Sequence, residues 1–363
     1  MKKRPWPYLV AALVMLALGA WLTSGEAPKP VRGPEVRMPR APDKEDRERG
    51  RQRIGPKDPE PQQPTIVVAP VPDAPPPRPK DTVLAALPHE VKQVAVVVEA
   101  NAIRNSDLGE AMIACLLADS PDALGRVRDA GFDPLTQLDR ISLFDDTLMV
   151  TGDFSGLQLG GDERYGDARL SRRTKRNGEE ETSAVWRNQT LLIGSAEEVK
   201  QAIDRLEGRV AADQQPVLRD SDAYGEMYGV LKPEGFAKMF EGTDPKLADF
   251  IRTAAQSVSL HVDAMHDVGM VADVKGADPK QVDELRRMLG GAIAAARARA
   301  MAEGKTAQAD VLDLSRILAP KGGGTSFTME LGLPYEMLKG QLDRCVAEGK
   351  RRREESEKER RSP

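Results

Sequence analysis

The sequence has few of the residues, and none of the spacings, that usually mark a catalytic or metal site. It contains only three histidines, His89, His261 and His266, among 363 residues. On a predicted strand over residues 257–264, His261 and Asp263 share a face. A metal ion usually needs about four ligands, and no His-x-x-x-His or Cys-x-x-Cys spacing supplies the others. We therefore predict no catalytic, cofactor-binding or metal-binding residues, and no cofactor.

Signatures of phosphate binding and of serine hydrolysis are missing as well. The glycine run GGGTS at residues 322–326 follows a predicted helix and lacks the Gly-Lys-Ser/Thr of a P-loop. It predicts a flexible turn. No Gly-x-Ser-x-Gly elbow occurs, so Ser-His-Asp hydrolysis lacks its usual signature.

Aromatic residues are also scarce, at 4% of the chain, whereas glycine and proline together number 58. Most of the prolines precede residue 80, so the part of the chain without a core lies there. Residues 28–80 combine proline with dense mixed charge, which favours solvated polyproline II. We predict a disordered Pro-rich linker that serves as a stalk; the alternative is a ligand for a groove-binding partner.

A long apolar run lies at the start of the sequence. Lys2, Lys3 and Arg4 precede an uncharged stretch over residues 5–25, close to the roughly 20 residues that span a bilayer. We expect an uncleaved signal-anchor over residues 1–27, which makes the membrane a partner; the alternative is a cleaved signal and a soluble periplasmic protein. No cysteine follows the run, which excludes a lipoprotein anchor. The basic flank predicts a single-pass inner-membrane protein with its bulk on the periplasmic side.

Charge is distributed unevenly along the chain. Residues 1–80 and the tail 350–363 together carry nine excess positive charges, so the net charge of −4 leaves −13 for residues 81–349. An acidic body argues against nucleic-acid binding, because Lys and Arg supply most of the affinity for phosphate. The charged tail is typical of a solvated helical end.

The first folded unit is predicted over residues 81–210. Residues 93–100, QVAVVVEA, are apolar and β-branched, as in a central strand. A capping-box spacing at Asp107 starts a helix, and a second helix is predicted over residues 120–131. A hairpin, a pair of strands and a capped helix complete the unit: residues 141–154, 168–176 with 182–195, and 196–208.

The second unit, residues 211–349, repeats this order loosely. A strand, two helices, a hairpin and a long capped helix are predicted at residues 222–232, 234–242, 245–255, 257–276 and 280–304. "LLIGSAEEVKQAIDRL" and "ADVKGADPKQVDELRRML" both run from strand through glycine and cap into helix, which indicates an internal duplication. A helix near residues 311–318, a strand at 325–333 and a helix from Pro334 follow. The fold class is α+β, with mainly antiparallel sheet and packed helices in two related repeats.

Acidic residues are concentrated in the stretch "GFDPLTQLDRISLFDDTLMVTGDF", residues 131–154. Asp133 and Asp139 precede turns, and Asp145 and Asp146 lie at the tip of the predicted hairpin, where short polar side chains bond the backbone. Catalytic carboxylates would converge on a cleft, whereas a hairpin tip faces water. We interpret these acids as scaffold.

This stretch also carries a resemblance. "GFDPLTQLDRI" leading into a hairpin that ends "TGDF", after a Val- and Ala-rich strand and a helix, resembles a pattern in uncharacterised bacterial envelope proteins with an N-terminal anchor and a Pro-rich stalk. The similarity covers chiefly residues 93–206. It implies an α+β domain without an assigned activity, and it carries over no functional residues.

The two cysteines, Cys115 and Cys345, lie on apolar stripes of predicted helices. Buried free thiols are the expected state, since free cysteine is among the most buried residue types. The alternative for an exported protein is a disulfide that joins the first unit to the C-terminal helix.

Two classes of function remain. The first is a non-enzymatic binding or scaffolding domain, presented on the stalk to an envelope protein or wall partner. The second is an envelope enzyme of hydrolase type that uses Asp or Glu residues the sequence does not identify. A deep cleft lined by two acids with separated pKa values would favour the enzyme, and a shallow surface would favour the binding domain.

Overall fold

The computed structural model describes most of the chain from residue 81 onward, together with three residues of the predicted linker. The described residues are 36, 38–39, 81–119, 132–157, 159–160, 163–174, 178, 180–210, 215–304, 312, 314–318 and 324–361. The predicted signal-anchor, most of the linker, the predicted helix over residues 120–131 and Gly322 and Gly323 lie outside them. Within the described residues, no helix is both long and apolar enough to cross a bilayer.

The described part is α+β, with helices packed on one large antiparallel sheet. The helices are α1 (Thr82–Ala86), α2 (Ala100–Arg104), α3 (Asp107–Asp119), α4 (Pro134–Gln137), α5 (Ala196–Leu206), α6 (Pro233–Lys238), α7 (Pro245–Ala254), α8 (Pro279–Ala302) and α9 (Tyr335–Arg361). The strands are β1 (Val94–Val98), β2 (Leu138–Phe144), β3 (Thr147–Gly152), β4 (Glu163–Tyr165), β5 (Ala168–Thr174), β6 (Glu180–Trp186), β7 (Thr190–Gly194), β8 (Met227–Leu231), β9 (Ser257–Asp263), β10 (Val268–Lys275), β11 (Ser315–Leu318) and β12 (Ser326–Leu333).

The two halves of the chain share one continuous sheet. Its twelve strands lie in the order β11-β12-β10-β9-β8-β1-β2-β3-β7-β6-β5-β4. The first strand of each half, β1 and β8, pair antiparallel at the junction of the halves, with Val96 opposite Gly229. The β-branched run at residues 93–100 was predicted to form a central strand, and β1 is therefore a central strand of the sheet.

The register gives the sheet two distinct faces. The first face carries Ala95 and Tyr228, and α1 and α5 cover it over the first half with a core that includes Val199 and Ile203. Arg205 on α5 ties the two helices together, since its Nε donates to the carbonyl oxygen of Ala86 at 2.8 Å.

The second face carries Val96, Met227 and Val262. Leu108 of α3 and Leu338 of α9 pack on it at the centre of the sheet. Helices α6, α7 and α8 cover it over the second half. The described helices of the second half therefore all pack on the second face.

Helix caps and the first hairpin follow the sequence closely. The Ser195 hydroxyl accepts from Glu198 N at 3.3 Å, and Asp278 accepts from Lys280 N at 2.8 Å. In the hairpin, Leu143 lies opposite Leu148 and Ile141 opposite Val150, so the apolar positions share one face, as predicted. The caps and the hairpin depend on neighbouring residues alone. Short-range hydrogen bonds form the caps, and strand alternation places the apolar residues of the hairpin on one face.

Several predictions of local structure were wrong. The strand predicted at 182–195 is two strands, because Arg187 and Asn188 adopt φ values of 50° and 57° and turn the chain back. Residues 315–318 form strand β11 along β12 rather than a helix. Ser106, and not Asp107, caps α3, because its hydroxyl accepts from Gly109 N at 3.0 Å.

Part of the predicted linker lies against the sheet. Gly332 is on the first face of β12, and a Cβ there would meet Met38 Cε at 3.0 Å and Val36 Cβ at 3.1 Å. Pro39 is buried. The absence of a side chain at Gly332 is what gives Val36 and Met38 room on this edge of the first face.

The two cysteines form a disulfide. Cys115 on α3 and Cys345 on α9 are joined across 230 residues, with their Cα atoms 5.5 Å apart. The expectation of free thiols is therefore wrong and the alternative is confirmed. Both residues are half-buried, because α3 and α9 lie side by side on the second face and bring the two sulfur atoms together there.

Candidate functional site

The acids of residues 131–154 occupy structural positions. Asp133 caps α4, with its Oδ1 accepting from Leu135 N at 3.1 Å, and Asp153 accepts from Ser155 N at 3.0 Å. The latter bond holds the pKa of the exposed Asp153 carboxyl below its usual range. Asp139 is exposed on β2 and does not precede a turn as predicted, because β2 already begins at Leu138; Asp146 is exposed at the hairpin tip. The structure brings none of these four carboxylates into a shared cleft.

Asp145 has a different role from the one expected of a hairpin tip. Its carboxylate accepts backbone N–H groups of Lys92, Gln93 and Val94 at 2.8, 2.7 and 3.2 Å, and its own N donates to the Val94 carbonyl oxygen at 2.9 Å. The side chain therefore faces the start of β1 and not water. This contact joins segments about 50 residues apart, so the turn pattern alone could not reveal it.

A charged network crosses the first face next to the central strands. Arg140 Nε donates to Glu99 at 2.7 Å, Arg140 Nη1 donates to Asp81 at 2.8 Å, and Tyr228 Oη donates to Glu99 at 3.0 Å. Burial raises the pKa of Glu99, against the opposing effect of Arg140. Burial also raises the pKa of Tyr228. Asp81 caps α1 through its other oxygen, so the network fixes α1 on the sheet.

Among the three histidines, only His261 is buried, with 4% of its surface exposed. Its ring stacks on Tyr224 with centroids 3.7 Å apart, and its Nδ1 has no hydrogen-bond partner in the described part of the chain. Burial lowers the pKa of His261, although Asp273 and Asp222 act in the opposite direction. His89 and His266 are exposed. Asp263 shares the face of His261, and no group of three or more metal-ligating side chains occurs among the described residues.

His261 belongs to a polar surface that we call the polar face. It is the first face of the second half, where Ser259, His261, Asp273, Thr328 and Glu330 surround Val271, which lies opposite both His261 and Glu330. Ser259 lies opposite Asp273, and Asp273 lies opposite Thr328, whose hydroxyl donates to it at 2.5 Å.

The polar face is half-buried, apart from His261. Strand alternation alone indicated polar residues here. No described helix covers the polar face. The sequence could not show this, because it depends on how the helices of the second half pack on the other side of the sheet.

Two open clefts lie elsewhere. One, of about 690 Å³, is lined by charged side chains at the ends of the central strands and on α6 and α7, including Lys92, Lys232 and Arg252. Arg252 is held there by ion pairs to Glu234 and Glu241. The other, of about 540 Å³, lies at the β4–β5 edge and is lined by three arginines. Sequence reasoning identified neither, because each gathers residues from separate segments.

No protein-family model, curated protein or solved structure matches the chain. The resemblance carried by residues 93–206 therefore gains no independent support from these comparisons.

Proposed function

We propose that the chain is a membrane-anchored protein of the cell envelope, whose folded part is a non-enzymatic binding or scaffolding domain outside the cytoplasm. The polar face, which no described helix covers, supports this proposal. A sheet normally buries its apolar side under helices, and here the opposite side of β9, β10 and β12 carries half-buried hydroxyl and carboxylate groups around the buried His261. Such an array suits contact with another macromolecule better than conversion of a small substrate.

The charge of the polar face limits the partner. Asp273 and Glu330 lie on it, and Asp222 is close enough to influence the pKa of His261. Arg316 of β11, opposite Glu330, and Lys275 at the end of β10 share this face and offset part of the charge. The body as a whole carries −13. Complementary potentials favour a partner that presents basic groups, and we commit to a basic segment of an envelope protein.

The disulfide supports the proposed compartment. Disulfides form and persist in oxidising compartments and are rare in the cytosol. The Cys115–Cys345 bond therefore agrees with a chain that is exported behind its basic, apolar N-terminal segment.

The order of the strands supports the proposed duplication. In each half, a strand is followed by helices and a hairpin: β1-α2-α3-α4-β2-β3 in the first half and β8-α6-α7-β9-β10 in the second. The fourth strand from the junction is β7 in one half and β12 in the other, and a helix follows each. The order of the sheet thus equates β7 with β12, and not with β10 as the sequence comparison does, but the helices that follow differ, because α5 packs on the first face and α9 on the second.

The alternative function is an envelope hydrolase that uses acidic residues. Glu99 is the described carboxyl whose pKa is raised, and a general acid needs that property. However, Glu99 already bonds Arg140 and Tyr228, and it lines neither of the two open clefts. Its surroundings therefore favour a structural role.

Site-specific photocrosslinking in cells tests the binding proposal. A photoreactive residue in place of Thr328, on the polar face, should give a reproducible protein adduct. The same residue in place of the exposed Glu284, on α8 and the other side of the sheet, should give none. The added substitution Asp273→Lys should weaken the Thr328 adduct, because it reverses the charge that attracts the partner.

Three outcomes would contradict the proposal: no adduct at either position, equal adducts at both, or an adduct to wall polymer alone. The last would show that the partner is of another chemical class.

A further inference from the structure

The β4–β5 edge of the sheet carries a cleft of about 540 Å³ in which positive charge predominates. Three arginines line it, Arg164 from β4, Arg169 from β5 and Arg187 from the β6–β7 turn, against one carboxylate, Asp167. A surplus of guanidinium groups in one cleft contrasts with the net −13 of residues 81–349. We call the cleft that these side chains line the arginine cleft.

Two of the arginines oppose each other directly. Arg164 is the register partner of Arg169, so both side chains leave the same face of the β4–β5 pair. Like charges directly opposite one another on adjacent strands destabilise a sheet. Arg169 donates to Asn188 Oδ1 at 3.1 Å, whereas Arg164 has no hydrogen-bond or ion-pair partner in the described part of the chain. The carboxylate that lines the same cleft, Asp167, pairs with Arg187.

The third arginine is held in position at a conformational cost. Arg187 adopts φ 50°, a left-handed conformation that is unfavourable for a residue with a side chain. Its guanidinium lies over the Trp186 ring at 4.6 Å and binds Asp167 through Nε at 2.8 Å. The turn therefore fixes one guanidinium at the rim of the cleft before any ligand arrives.

We propose that the arginine cleft binds an oxyanion: a phosphate, sulfate or carboxylate group. Guanidinium groups form paired, charge-assisted hydrogen bonds to such oxygens, and an anion between Arg164 and Arg169 would replace their repulsion by attraction. The side-chain amide of Asn188 and the hydroxyl of Ser155 also line the cleft and add neutral polar groups. Because the cleft is open, the oxyanion can be free or can be part of a larger molecule. The inference does not depend on the function proposed above, which uses the opposite face at the other end of the sheet.

Thermal unfolding of the full chain tests this site. Inorganic phosphate, and separately a polyphosphate chain, are titrated against chloride at constant ionic strength. The melting temperature of the wild type should rise to saturation with at least one of them. The double substitution Arg164→Ser with Arg169→Ser should weaken the apparent affinity about tenfold or more, because it removes charge-assisted hydrogen bonds.

Arg172→Ser is the matched control. Arg172 lies on the same strand as Arg169 but on the opposite face, and it pairs with Glu163. This variant should respond to the anion as the wild type does. Without anion, the double variant should melt no lower than the wild type, which shows that it folds.

The two ligands distinguish the source of the oxyanion. A response to both indicates that a free anion suffices, and a response to polyphosphate alone indicates that the group belongs to a polymer. If neither ligand raises the melting temperature above the chloride series, the proposal is wrong. The same follows if the double variant responds like the wild type.

Discussion

His261 is the residue whose stability contribution should depend most clearly on pH near neutrality. Its ring is buried and stacked on Tyr224, and burial lowers its pKa. The fold thus favours the neutral ring, whereas the unfolded chain has an ordinary histidine pKa of about 6.5. As pH falls below that value, the unfolded chain takes up the proton first. The stability that neutral His261 contributes is present above about pH 6.5 and is lost as pH falls through the folded pKa.

We therefore predict that His261→Phe reduces the loss of stability on acidification. Phenylalanine keeps a ring against Tyr224 but cannot bind a proton. The free energy of unfolding, measured in denaturant between about pH 7 and pH 5, should fall less steeply for the variant than for the wild type. Identical slopes for His261→Phe and the wild type would mean that the folded state accommodates the protonated ring.

At the scale of elements, Asp145 links the first hairpin to the central strand. Its carboxylate takes three N–H groups at the start of β1, two of them partly buried. Asp145→Ala leaves those donors without their charged acceptor, so we predict a loss of about 1–3 kcal/mol in the free energy of unfolding. Asp146→Ala, one residue further along the same turn, should leave the denaturation midpoint unchanged. Equal effects of the two substitutions would show that the cross-segment bonds add nothing to stability.

The elements that the sequence predicted correctly are those defined by neighbouring residues. Caps at Ser195 and Asp278 and the alternation of the first hairpin depend on spacings of a few residues. The β6–β7 turn was missed because Arg187-Asn188 contains no glycine, the usual residue for a positive φ. Strand β11 was missed because an apolar run of this length fits either a helix or a strand until its partner, β12, is known.

At the scale of the whole molecule, the sequence predicted the α+β class and an antiparallel sheet, but not that both halves share it. The β1–β8 pair joins residues more than a hundred positions apart, for instance Val98 with Met227, and no local pattern encodes such a contact. The same reason explains why the arginine cleft and the polar face were not foreseen. The arginine cleft adds Arg187 of the β6–β7 turn to the β4–β5 hairpin, and the polar face depends on which side of the sheet the helices cover.

The disulfide is the feature of the whole chain that bears on its compartment. It clamps helix α3 of the first half to α9 at the end of the described chain, and native disulfides of this kind typically contribute about 2–5 kcal/mol. A reducing cytoplasm would keep both thiols free. The redox state of the pair in living cells thus reports where the folded part resides.

Alkylation trapping of the cysteines in growing cells is the decisive measurement. Cells are quenched in acid, denatured and treated with a high-mass thiol reagent, with or without prior reduction. A folded part outside the cytoplasm should gain two adducts only after reduction, and Cys115→Ser should gain one adduct with or without it. Two adducts on the wild-type chain without reduction would contradict an envelope location and, with it, a function in binding an envelope partner.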